Sequence, residues 1–167
     1  MKKLAFVFLL LVGLAAQAQK FCYVDTKYIL EEIPEYGVAM DQINELSVQW
    51  QKEIENERLT LDDLFKSYQA EKVILSAKMK EAREEEIIQK EKSLKQLKKH
   101  YFGPKGELFN KQEALIRPLQ EQIQANITEY AEIHNYAVIF DKSGDLVMVF
   151  SDAKYDKSDA ILQSMGY

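Results

Sequence analysis

The chain has 167 residues, with 22 Lys and Arg against 27 Asp and Glu, for a formal net charge of −5 at pH 7. That acidic balance gives no reason to expect a nucleic-acid partner. Six glycines and three prolines are too few turn formers for a many-stranded sandwich, and one cysteine forms no internal disulfide, so a single domain built largely from long helices is expected.

The chain begins with Lys2 and Lys3, then an apolar run over 4–14 interrupted only by Gly13, then Ala16-Gln17-Ala18 with small residues where a signal peptidase reads. This is the three-part pattern of a cleavable secretory signal over 1–18. The run falls short of the roughly 20 apolar residues that span a bilayer, so no integral span is expected after cleavage. Gln19-Lys20-Phe21 before Cys22 is not the small-residue approach of lipoprotein processing. Without Lys2 and Lys3 the chain becomes more acidic, with 20 basic residues against 27. A signal and a lone core thiol suit a bacterial periplasm.

Three stretches read as strands: Phe21-Cys22-Tyr23-Val24, Ala137-Val138-Ile139-Phe140 and Leu146-Val147-Met148-Val149-Phe150. Asp141-Lys142-Ser143-Gly144-Asp145 carries a Ser-Gly turn signal, so the last two strands are expected to form a hairpin. All three runs are nearly continuous in apolar residues, which predicts burial on both faces. A short segment at 27–32 follows the first strand, and Pro34 breaks the chain after it. From about Tyr36 a helical pattern takes over: Met40, Ile43, Leu46, Trp50, Ile54, Leu61, Phe65 and Tyr68 recur at steps of three, four or seven. It resumes at Met79, Ile87, Leu94, Leu97 and Tyr101, then at Leu115, Leu119, Ile123, Ile127 and Tyr130. That is a narrow seam of the coiled-coil kind. Asp156 or Ser158 is placed to cap a short terminal helix at Ala160-Ile161-Leu162.

The long helical region must reverse, at Phe102-Gly103-Pro104-Lys105-Gly106 or at Val73-Ile74-Leu75-Ser76. A reversal at 103 leaves roughly 97 Å out and roughly 44 Å back, so half of the outgoing arm lacks a partner. A reversal at 75 leaves roughly 57 Å out and roughly 88 Å back. The latter also sets Glu53, Glu57 and Asp62 opposite Lys90, Lys95 and Lys98, so that opposite charges flank the seam. The expected arm is therefore 37–135, with its tip near 73–76 and a kink near 102–106. The body is 19–36 with 136–167.

So few strands cannot close a sheet, and apolar strands with open edges invite partners. Self-association is the expectation, through Phe21, Tyr23, Val24, Val138, Ile139, Phe140, Val147 and Val149. Val73, Ile74, Leu75 and Met79 at the tip are candidate contact residues for another protein, Met being an adaptable side chain; the competing reading of Met and aromatic residues at helical spacing is seam packing.

The order of these parts carries a resemblance. Phe21-Cys22-Tyr23-Val24-Asp25-Thr26, a long helical hairpin, Tyr136-Ala137-Val138-Ile139-Phe140-Asp141, Leu146 to Phe150 and Asp156-Lys157-Ser158-Asp159-Ala160-Ile161-Leu162 are together similar to the Skp/OmpH family of periplasmic chaperones. The resemblance implies an α+β, predominantly α fold: a small β-rich oligomerisation body with antiparallel helical tentacles, as a jellyfish-like homotrimer. It also implies ATP-independent holdase binding of unfolded outer-membrane proteins before their delivery to the barrel-assembly machinery. This chain departs from the strongly basic members of the family, so lipopolysaccharide binding is not carried over. The alternative reading is a coiled-coil structural or adaptor protein of the envelope.

Chemistry is not expected. His100 and His134 lack a second ligand at metal spacing, and the chain has neither a Gly-rich phosphate loop nor a serine elbow, so no cofactor, metal or catalytic residue is assigned. Glu84-Glu85-Glu86 point in different directions around a helix and read as a solvated surface.

Overall fold

The computed structural model describes residues 20–144 and 147–167; the expected signal peptide and Leu146 lie outside them. The chain divides into two compact units, one of residues 20–33 and 120–167 and one of Pro34–Leu119.

The first unit is the body. Strand β1 (Lys20–Val24) pairs in parallel with β2 (Tyr136–Asp141), in the register Phe21↔Val138, Cys22↔Ile139, Tyr23↔Phe140 and Val24↔Asp141. Parallel pairing follows from the long connection between the strands, which a hairpin turn does not provide. On its other side β1 meets Asp156 through Tyr23, where the Lys157 N–H donates to the Tyr23 carbonyl at 2.9 Å. With neighbours on both edges, β1 is the buried strand, and Cys22, Tyr23 and Val24 lie in the core. Burial pushes the Cys22 thiol up from its ordinary range.

Helix α1 (Thr26–Glu32) starts on Asp25, whose side chain accepts from the Tyr28 N–H at 3.0 Å. Two longer-range hydrogen bonds tie this start to the far end of the chain. The Asp25 N–H donates to Ser158 Oγ at 2.9 Å, and the Thr26 hydroxyl donates to Asp141 Oδ2 at 2.7 Å. Helix α5 (Ser158–Met165) packs on α1, and Asp156 Oδ1 accepts from the Ser158 N–H at 3.0 Å at its start. It ends at Gly166 with φ +93°, a left-handed conformation that glycine adopts without strain. The most deeply buried large side chains, Ile29, Ile33 and Ile161, come from this α1 and α5 region. From the last long helix, α4 (Glu107–His134), this unit takes the portion after residue 119 and buries Ile123 and Ile127.

Burial acts to raise the Asp141 carboxyl, but hydrogen bonds from Thr26 and Ser143 outweigh it and hold the group below its usual range. A folded carboxyl with a depressed pKa contributes stability that is complete above the unfolded pKa and is lost as pH falls through the folded one. Asp141→Asn is therefore expected to cost about 1–2 kcal/mol at neutral pH, with the gap to the wild type closing in acid. Urea melts at neutral and acidic pH check this; a gap that persists in acid would show that the charge is not what stabilises.

Among the described residues the hairpin expected between β2 and Leu146–Phe150 is not found, and the sheet holds β1 and β2 alone. Asp141 Oδ1 accepts from the Ser143 N–H (3.0 Å) and Oγ (2.8 Å), and the Lys142 N–H donates to the Val24 carbonyl (2.7 Å). The turn is thus held toward β1 and α1 by local side-chain bonds that compete with a return along β2. Residues 147–150 are not strand, and Val147, Val149 and Phe150 are 85%, 96% and 86% exposed. Burial on both faces is likewise absent from β2, where Ala137, Val138 and Phe140 are exposed.

The second unit is the arm. Helix α2 (Pro34–Glu71, 38 residues) is about 57 Å long. Pro34 opens it rather than merely ending what precedes, because proline's missing N–H costs nothing in a first turn. Helix α3 (Ala77–Phe102) runs back along α2. Between them the Ile74 and Leu75 N–H groups donate to the Glu71 carbonyl, and Ser76 caps α3 by accepting from the Met79 N–H. Ile43, Tyr68 and Ile87 are the buried seam residues. Phe65, expected on the seam, is 50% exposed; the seam steps from Leu61 through Leu64 to Tyr68, and Phe65 lies about 100° round the helix from Leu64.

Candidate functional site

Two surfaces expose apolar side chains that the single chain does not cover. At the arm tip, Val73 and Ile74 are 90% and 84% exposed, Met79 is exposed, and Leu75 is half-buried. Residues 72–75 are a turn, so β-branched side chains at 73 and 74 project where no helical neighbour screens them. Just inside the tip, the Tyr68 hydroxyl donates to Glu84 and closes the end of the hairpin; this bond raises the phenol above its ordinary range.

On the body, Phe21, Val138, Phe140, Val147, Val149 and Phe150 are exposed. Phe21 stacks on Tyr155 with ring centroids 5.2 Å apart. These rings with Tyr23, Met148 and Phe150 line an apolar cleft of about 290 Å³. Tyr23 and Val24, expected on the associating surface, are core residues of the single chain, and Ile139 is half-buried. Exposed apolar surface gathered in patches marks an interaction site, whereas the same side chains scattered singly do not. Among the described residues there is no cluster of His, Cys, Asp or Glu that could hold a metal ion, and no helix is long and apolar enough to cross a membrane.

The family described as "Outer membrane protein (OmpH-like)" matches residues 20–165. The chain belongs to the OmpH-like family. Among solved structures, a protein from Caulobacter crescentus described as an outer membrane chaperone (OmpH-like) is similar in fold, with a TM-score of 0.71 at 14% identity, covering 90% of this chain and 86% of that one. No curated protein matches.

In this OmpH-like chain the charges along the arm pair more selectively than spacing predicts. Lys90 Nζ lies 2.6 Å from Glu57 Oε2 across the seam. Glu53 accepts instead from the Tyr101 hydroxyl at 2.9 Å. Asp62 is taken by Arg58 of its own helix at 2.7 Å, and Arg58 also binds Glu55. Hydrogen bonding to Arg58 holds the Glu55 carboxyl below its ordinary range, with Lys98 adding to the effect. Among the described residues no ion pair reaches Lys95. Arginine explains the difference, because its planar fork captures one carboxylate about a turn before it and another about a turn after it. Such exposed pairs are screened by solvent and serve register more than stability.

Phe150, Met148 and Tyr155 belong to the body surface but were not singled out from the sequence. Phe150 and Met148 had a signal, their apolar run. Tyr155 had none: it is brought to Phe21 by a single turn of 3₁₀ helix (Ala153–Tyr155), which Asp152 caps by accepting from the Lys154 N–H.

Proposed function

We propose that this chain is an ATP-independent holdase chaperone that binds unfolded outer-membrane proteins in the periplasm and keeps them from aggregating before membrane assembly. The observation that carries the reading is the pair of uncovered apolar surfaces, one at the tip of a helical arm and one on the body, in a chain of the OmpH-like family. A holdase has to bind many sequences without chemistry, and adaptable apolar surface does that where a shaped pocket would not. The Caulobacter protein of similar fold is described as an outer membrane chaperone, which agrees with this reading.

In this proposal the two surfaces have different tasks. The body surface joins copies of the chain, as a homotrimer, so that several arms enclose a sheltered space. The tip residues Val73, Ile74, Leu75 and Met79 touch the client. Copies assembled in this way would pass their clients to the barrel-assembly machinery.

The experiment is suppression of aggregation. Several unrelated outer-membrane barrels are diluted from urea with and without the purified mature chain, and light scattering is followed. The wild type is expected to suppress scattering for each of them. Val73→Ser with Ile74→Ser is expected to weaken client binding about 10- to 100-fold while leaving the fold unchanged, because each side chain is already solvent-exposed and forfeits contact only with the client. Suppression of one barrel alone, or of none, would favour a dedicated adaptor over a holdase.

A further inference from the structure

The returning limb of the arm is broken where the outgoing limb is not. Helix α3 ends at Phe102 and α4 begins at Glu107, while α2 runs unbroken past the same level. The four residues between are a constructed turn. The Gly103 N–H donates to the Lys99 carbonyl (2.9 Å) and the Gly106 N–H to the Gly103 carbonyl (2.8 Å), and Lys105 takes a left-handed φ of 63°. A Cβ at Gly103 would stand 2.3 Å from the Lys99 oxygen, and one at Gly106 would stand 2.7 Å from the His100 oxygen, so only glycine fits either place.

Opposite this break sits a tight aromatic contact. Trp50 of α2 stacks on Tyr101 of α3 with centroids 4.9 Å apart and planes 8° from parallel, and it meets Phe102 edge-on at 6.3 Å. Tyr101 also donates its hydroxyl to Glu53 of α2 at 2.9 Å. The last turn of α3 is thus fastened to α2 beside the gap in the helical ladder.

In a pair of packed helices, bending in their common plane requires one limb to lengthen, and an intact hydrogen-bond ladder resists this. At 103–106 the ladder is interrupted, and loop dihedrals can absorb the change in length, which is how hinges work. We propose that the arm bends at 103–106, and that Trp50, Tyr101 and Glu53 form the latch that holds it straight. This inference does not depend on client binding.

Native-state hydrogen exchange of the full mature chain tests it, because local opening and whole-arm unfolding leave different patterns. Tyr101→Leu removes both the stack and the hydrogen bond; Tyr101→Phe removes only the hydrogen bond. Exchange over 99–110 and 47–53 is expected to rise at least about tenfold in Tyr101→Leu and by a smaller factor in Tyr101→Phe. Over 57–68 and 84–94 it should change less than about twofold. Trp50 is the only tryptophan, so acrylamide quenching of its fluorescence reports the latch directly and should rise in the same order. Equal acceleration along the whole hairpin would mean that Tyr101 stabilises one cooperative rod, and the proposal would be overturned. No acceleration beside increased Trp50 quenching would overturn it too, since the latch would be open without any bending point responding.

Discussion

If copies of the chain join through the body surface as proposed, Val147→Asp together with Val149→Asp is expected to leave a monomer. Both side chains are almost fully exposed in the single chain, at 85% and 96%, so two carboxylates there cost its fold little. In an interface between copies the same carboxylates would have to be buried unpaired, at several kcal/mol each. The expected loss of self-affinity is therefore at least about 1000-fold. Sedimentation velocity over a range of concentrations reads it. The double variant should sediment as a single chain with unchanged far-UV circular dichroism. Its melting temperature should also lose the concentration dependence that association confers. If the variant and the wild type had the same mass, 147–150 would not belong to the interface.

Ile161→Ala is the second large effect, and it acts on the fold. Ile161 is 0% exposed and sits on α5, which packs against α1, where Ile29 is also 0% exposed. Few large side chains of the body are as deeply buried, and the unit has little else to fill a cavity. The substitution is expected to cost about 2–5 kcal/mol, a large share of the roughly 5–15 kcal/mol that a domain possesses. Phe65→Ala makes the contrast: a larger side chain, but half exposed on the arm, and expected to cost less than about 1 kcal/mol. Urea melts at one fixed protein concentration compare the two. An Ile161→Ala cost no larger than that of Phe65→Ala would mean that α5 does not close the core.

The helical hairpin was legible because its signal is long. Seam positions recur from Ile43 through Tyr68 and again at Ile87, and a pattern sustained for that many turns admits little else. Phe65 escaped that logic because a seam one residue wide cannot distinguish it from Leu64, its neighbour in sequence; only the facing helix decides. Two of the three apolar runs in the body, 21–24 and 137–140, were legible as strands, whereas 147–150 is not strand, and the pairing was not legible. A run such as 146–150 states that it will be buried without stating by what, and the expected hairpin took the nearest strand as the partner. What decided otherwise was Asp141, whose carboxylate is committed to Thr26 and Ser143, residues 115 positions before it and two after it. A bond to Thr26 across that separation leaves no trace in local composition. The stacking of Phe21 on Tyr155 and of Trp50 on Tyr101 is equally silent in one sequence, since each joins residues whose proximity is made by the whole fold.

Exposed apolar surface in a family of envelope proteins ties these results together. The most direct test is native mass spectrometry of the chain without its first 18 residues, alone and after an outer-membrane barrel is diluted into it from urea. Three copies alone, and three copies holding one barrel, are the species expected. A single chain that stays single and takes up no barrel would contradict the account.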